Sequence, residues 1–242
     1  MKNSLIKITK KKSFWNAVKN NELVWPKTAE LHIGLACNHK CIYCYNKNLM
    51  TYGRLHKFPN FNKTKLNSNE YNNIIRELKE KKVQTIYCSG GLEFFLSSKK
   101  HRHSVMKHII DMNFSKTKII TNGVMVKECD IPFILDFSSI RFSIDSFNPN
   151  TYTKIRGTKN KDLDRVKKII CSILNERENK SHRVKVGAAF IIMPHNVNEI
   201  DDIIEKSVSL GMDEIELKYE YTGNDDLYVN TNILFNIAKF IC

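Results

Sequence analysis

Three cysteines crowd one short run, Leu35-Ala36-Cys37-Asn38-His39-Lys40-Cys41-Ile42-Tyr43-Cys44, and no fourth lies near them. A structural zinc ion takes four protein ligands, and an electron-transfer [4Fe–4S] cluster takes four cysteines. Three thiolates at spacings of four and three residues leave one metal position without a protein donor. Such a position can bind a small molecule, so the run reads as a reactive site more than as a clip. The competing reading is a zinc or iron–sulfur binding module, with Cys88 or a distant histidine as fourth ligand. His39, between two of the cysteines, is expected to point away if the position is open.

Other polar runs could serve the same site. Cys88-Ser89-Gly90-Gly91-Leu92-Glu93 carries a glycine pair, which lets backbone approach a ligand with no Cβ in the way. Thr121-Asn122-Gly123 ends a strand-like segment, where Asn122 is either a polar contact or a turn residue. Arg141-Phe142-Ser143-Ile144-Asp145 is followed by Tyr152 and Arg156-Gly157. Strand alternation would put Ser143 and Asp145 on one face, opposite Phe142 and Ile144. The bland reading makes Asp145 an N-cap and Arg156 a surface cation. His32, alternating on the first strand, reads as a satisfied barrel histidine, and Asn196 as a cap for the next helix.

Those runs need elements to position them, and strand-like and helix-like segments alternate along the chain. Strands are expected at Thr28–Gly34, Val83–Cys88, Thr117–Thr121, Ile140–Ile144, Val184–Ile192 and Glu214–Tyr219. Between them, helical spacing of apolar residues predicts helices over Asn67–Lys82, Ser97–Met112, Pro132–Phe137, Asp162–Glu178 and Glu199–Leu210. Short helices are also expected around Phe14–Val18 and over Asn230–Ile241. The fold class is α/β, with a parallel sheet and right-handed crossovers. Periodicity alone does not choose between a partial barrel and a doubly wound sheet. In either, ligands gather at the C-terminal strand ends, where the cysteine run leaves the first strand.

C-x3-C-x2-C, with Tyr43 just before the last cysteine, resembles the signature of the radical S-adenosylmethionine (radical SAM) superfamily. The resemblance extends in order, one element per βα unit, over roughly Thr28 to Tyr219. It implies a partial (βα)6 TIM-like barrel with parallel strands. It also implies a [4Fe–4S] cluster on Cys37, Cys41 and Cys44, whose fourth iron chelates SAM. Reductive cleavage of SAM would yield a 5′-deoxyadenosyl radical that takes hydrogen from a substrate. The glycine-rich motif would meet the SAM amino group through Ser89, Gly90 and Gly91. In the family Glu follows the glycines at once; here Leu92 displaces Glu93. By position Asn122 would face the cavity, and Ser143 and Arg156 would hold the ribose or carboxylate. Asp145 belongs to the same Ser-x-Asp element. Tyr43 would reach adenine through its backbone, and Ile191 or Ile192 would flank it. No catalytic acid, base or radical quencher is assigned. The implied partners are a reductant such as flavodoxin or ferredoxin and a peptide, protein or small-molecule substrate. The cysteine-rich C-terminal extension of many relatives has no counterpart in these residues.

Composition bounds the rest. At 242 residues the chain can bury one sizeable core, read as a core domain over 28–242 after a basic extension at 1–27. No apolar stretch is long enough to span a bilayer, and the basic N-terminus lacks the apolar core of a secretory signal. A cytoplasmic location is expected, and seven cysteines, an odd count, suit a reducing compartment better than a disulfide framework. The net charge of +14 raises RNA as an alternative substrate. The basic runs are short and lack interleaved aromatics, so a solvated surface is the favoured reading.

Overall fold

The computed structural model describes residues 12–33, 36–44, 66–89, 92–219 and 225–229. Six strands, β1 Thr28–His32, β2 Thr85–Ser89, β3 Lys116–Thr121, β4 Ser139–Ser143, β5 Lys185–Ile192 and β6 Glu214–Tyr219, form one sheet. Every pairing is parallel, and the strands lie in chain order from β1 to β6. This order settles the alternative left open above. A doubly wound sheet reverses direction at a switch point, whereas a barrel adds each strand beside the last. The architecture is that of a partial (βα)6 barrel.

Among the described residues the helices are α1 Lys12–Lys19, α2 Ser68–Glu80, α3 Lys99–Asp111, α4 Ile131–Leu135, α5 Pro149–Arg156, α6 Asn160–Asn179 and α7 Ile200–Ser209. With monotonic strand order, right-handed crossovers carry the connecting helices to the same side of the sheet. The two faces accordingly differ. Ile86, Cys88, Ile119, Ile140, Phe142, Val186, Ala188, Phe190 and Ile192 are buried in one core with Val105, Met106, Ile134 and Val166 from the helices. Alternate residues Glu30, His32, Lys118, Arg141 and Glu216 line the other, polar face.

Local signals explain the element ends. Asn67 opens α2 with a capping box, its side chain accepting from the Asn69 and Glu70 backbone while Glu70 reaches back to Asn67. Helix α5, absent from the sequence expectation, has an equally local cause. Asn148 caps it, Pro149 takes its first position, and Gly157 ends it in the left-handed region at φ 57°. Arg102 of α3 ties that helix to the turn before α4. Its Nε and Nη2 donate to the two oxygens of buried Asp130 at 2.8 and 3.1 Å, and the His103 ring lies 2.6 Å from the same carboxylate.

Several expectations are corrected. β1 ends at His32, and His32 is about half exposed beside Glu30 on the polar face, because Leu31 and Ile33 take the core positions. The short fourth helix is Ile131–Leu135, preceded by a 3-10 turn at Glu128–Asp130. β4 ends at Ser143, and Asp145 beyond it has φ 68°, so strand alternation does not govern where it points. The expected helix at Asn230–Ile241 lies outside the described residues, as do Gly90 and Gly91.

Candidate active site

The cysteine run is laid along the C-terminal end of α5. Lys40 N–H donates to the Arg156 carbonyl and Ile42 N–H to the Ile155 carbonyl, each at 3.0 Å. A helix end leaves its last carbonyls without intrahelical partners, and here the loop supplies the donors. A Cβ on Gly157 would sit 2.4 Å from the Lys40 carbonyl oxygen, so only glycine lets the two segments approach this closely. Upstream, Glu93 N–H donates to the Ala36 carbonyl at 3.0 Å. Ile42 and Tyr43 pack against Ile155, Ile191, Met193 and Leu227 in a small second core.

Beneath the loop lies a buried ionic cluster. The Arg156 guanidinium donates to Asp145 Oδ2 at 2.9 Å, to the Tyr43 hydroxyl, and through Nε to His39 Nδ1 at 3.2 Å. Tyr43 in turn donates to Asp145 Oδ2 at 2.6 Å. The other oxygen of Asp145 accepts from Ile191 N–H at 2.8 Å, and its carbonyl accepts from Asn196 Nδ2 at 2.7 Å. Asn196 stands at the N-cap position of the 3-10 turn Val197–Glu199 but makes no side-chain capping bond: its amide instead bridges the Asp145 and Ile191 carbonyls. Arg156 is only 4% exposed. A buried charge needs a partner and full hydrogen bonding, and this one has both from residues 39, 43 and 145.

The three thiols differ in setting. Cys37 is exposed, Cys41 buried and Cys44 intermediate, and none is in a disulfide. Burial pushes the Cys41 thiol up to about 11 and raises Cys37 as well, while Arg156 works against both shifts. A metal ligates thiolate, so loading would release protons, and the guanidinium favours the charged form. His39 is buried within the loop. Its Nδ1 is taken by Arg156, its ring meets Tyr152 edge-on, and burial together with Arg156 holds its pKa down to about 3.

Cys88 faces the opposite side of the sheet, fully buried in the helix-side core, where burial drives its thiol strongly upward. It does not share the loop's side of β2. Among the described residues, three metal-type donors converge within 4.8 Å at His103, Cys129 and Asp130. There Arg102 already holds both carboxylate oxygens, so a cation would meet a guanidinium. Cys37, Cys41 and Cys44 do not converge this tightly.

The strand ends complete the site. Glu93 is buried, and its carboxylate accepts from Thr121 Oγ1 at 2.6 Å, Asn122 N–H at 2.8 Å and Phe95 N–H at 3.1 Å. Burial raises its pKa while those bonds oppose the rise. Asn122 Nδ2 lies 2.8 Å from Asn38 Oδ1 and 3.8 Å from Cys37 Sγ. Ser89 ends β2 on the polar face and donates to Glu30, and Ser143 ends β4 on that face. Ile191 packs with Tyr43, whereas Ile192 points into the helix-side core. Thus the structure gathers Cys37, Cys41, Cys44, Tyr43, Glu93, Asn122, Asp145 and Arg156 around one loop. Sequence reading missed Asn38, Thr121, Glu30 and the bridging role of Asn196. A short polar side chain has no spacing signature when its partner is distant in the chain.

Comparison with known proteins agrees with this geometry. The family model described as the radical SAM superfamily matches residues 31–207. No curated protein sequence matches the chain. Among solved structures, Streptococcus suis SuiB bound to S-adenosylmethionine superposes with a TM-score of 0.70 at 12% identity, over 93% of this chain and 47% of SuiB. SuiB has also been solved bound to its precursor peptide SuiA. Histidine-tagged anSMEcpe with bound AdoMet gives 0.65 at 13% identity, over 88% of this chain and 59% of that one; native anSMEcpe has been solved with AdoMet and a peptide. TYW1 with a lysine-pyruvate adduct gives 0.59 at 14% identity, over 89% and 72%. The chain thus spans about half the length of SuiB. With a family match running from β1 into α7, over a six-stranded parallel barrel that carries C-x3-C-x2-C at the end of its first strand, the chain belongs to the radical SAM superfamily.

Proposed function

We propose that the protein is an enzyme that reductively cleaves SAM at a [4Fe–4S] cluster held by Cys37, Cys41 and Cys44. When bound, the cluster and SAM supply the electron-driven breakage of a sulfonium bond and a 5′-deoxyadenosyl radical. The observation that carries this reading is the cysteine loop itself. It sets three unpaired thiols at the barrel mouth, with His39 Nδ1 engaged by Arg156 and Cys88 buried on the opposite face of the sheet. That arrangement argues against the zinc-module alternative.

The chain's own residues hold and orient. Arg156, paired with Asp145 and Tyr43, steadies the loop and offsets thiolate charge. Ser89, Gly90, Gly91, Asn122 and Ser143 are the proposed polar contacts to SAM, with the Tyr43 backbone and an Ile191 or Ile192 side chain beside adenine. Ile191 is better placed for this than Ile192. Glu93 acts through Asn122 and Thr121, which it holds, as well as by any direct contact. The substrate proposed is a peptide or protein, supported by the peptide complexes of SuiB and anSMEcpe. An external reductant must supply the electron.

The test is anaerobic reconstitution with iron and sulfide, then dithionite and SAM. Bound iron and sulfide near four each per chain and free 5′-deoxyadenosine are expected. Cys37→Ala, Cys41→Ala and Cys44→Ala should each lose both. Tight zinc without SAM cleavage, or one variant that keeps both properties, would overturn the assignment.

A further inference from the structure

We propose that a cationic cleft beside the cysteine loop docks the acidic, low-potential electron-transfer protein that reduces the cluster. This rests on reading the loop as a cluster site. Each SAM cleavage consumes one electron, and SAM and substrate occupy the mouth at the strand ends. The donor must reach the loop from another side.

One opening meets that requirement. A cleft of about 430 Å³ lies between the segment after β3, at Val124 and Met125, and the turn from α5 into α6; Asn38 of the cysteine loop forms part of its wall. Behind Asn38 the path to sulfur is short. Asn38 Oδ1 accepts from Asn122 Nδ2, and that nitrogen is 3.8 Å from Cys37 Sγ. One asparagine side chain therefore links the cleft wall to an expected ligand sulfur.

The exposed charge among the described lining residues is positive. Lys159, Lys161 and Arg165 line it and are exposed. Lys40, exposed on the cysteine loop, adjoins it through Gly157, whose Cβ position is 2.9 Å from Lys40 Cβ. The acidic side chain in the lining, Asp162, is buried and already engaged by Thr158 Oγ1, Lys159 N–H and Arg165. Helix α6 starts at Asn160, so its positive dipole end adds to the field. Among the described residues the lining includes no aromatic side chain on which unstacked bases could rest, which favours an acidic protein over RNA. Complementary charge of this kind steers encounter and is weakened by salt.

The transfer balances: flavodoxin hydroquinone is oxidised to semiquinone, and the cluster gains that one electron. The test compares the wild type with the K159E/K161E/R165E variant, whose changes lie on exposed side chains. Deoxyadenosine formation is measured with dithionite and, separately, with reduced flavodoxin at about 50 mM salt. Flavodoxin binding without turnover is followed by calorimetry at about 50 and 300 mM salt. With dithionite the two proteins should agree within about twofold, whereas the flavodoxin-driven rate of the variant should fall at least about tenfold. Its binding should be lost at low salt, and wild-type binding should weaken at high salt. Flavodoxin-driven turnover equal in both proteins overturns the docking site alone. A wild type that forms no deoxyadenosine with dithionite overturns the cluster reading, and the docking site with it.

Discussion

Arg156 is the residue on which most of the site converges. It joins the cysteine loop to a helix more than a hundred positions away and sits in the same pocket as Asp145 and Tyr43. Removing one member of a buried, hydrogen-bonded ion pair costs about 3–5 kcal/mol, because the other charge stays behind unpaired. Arg156→Ala should therefore lower stability by about that amount and reduce iron uptake on reconstitution. Arg156→Lys, which keeps the charge but not the forked geometry, should fall between. Denaturant unfolding of the unreconstituted protein together with iron content would check this. If Arg156→Ala unfolded like the wild type and held as much iron, the guanidinium would have no part in supporting the loop.

At the level of elements, two seams hold the architecture that the site depends on. The first is the contact of α5 with the cysteine loop at Gly157. A methyl group there meets backbone, not a yielding side chain, in a left-handed conformation that alanine disfavours. Gly157→Ala should cost about 1–3 kcal/mol and should impair cluster loading more than any surface Gly-to-Ala change. The second seam joins α3 to the turn before α4 through Asp130. Burial disfavours the Asp130 anion, but Arg102, His103 and the Lys127 N–H outweigh it and hold the carboxyl below its ordinary value of 3.8. A depressed folded pKa means that the stabilisation is complete above that ordinary value and drains away as the pH falls through the folded one. Asp130→Asn should be less stable than the wild type at neutral pH. The gap should narrow as denaturation curves are taken into the acid range below 3.8. A gap that stayed constant down to low pH would show that the ion pair is not its source.

On the scale of the whole molecule, a net charge of +14 sets its colloidal and thermal behaviour. Many of its exposed ion pairs, such as Lys107–Asp111 and Lys206–Asp202, are short-range helix pairs worth little each. Self-repulsion should outweigh them. Raising salt from about 20 to 200 mM, across which the screening length shortens several-fold, should raise the thermal midpoint modestly. A lower midpoint would indicate that attractive pairs dominate. Among the described residues no helix is long and apolar enough to cross a membrane.

How much of this was legible beforehand differs by kind of interaction. Strand and helix positions came from apolar spacing, because a core selects side chains with period two or near 3.6, and apart from α5 the described strands and α-helices lie within a few residues of the expected ones. Metal-type chemistry was legible too, since Cys37, Cys41 and Cys44 are close in sequence and their spacing alone restricts how they can ligate. Strand order was not, because alternation records which face is buried but not which strand is the neighbour; only the pairings β1 to β6 excluded a doubly wound sheet. Nor could sequence send Ile192 to the core, or show that Arg156 closes on Tyr43, Asp145 and His39. Those contacts join residues distant in the chain, and their energies exist only once the barrel has brought strand ends and α5 together.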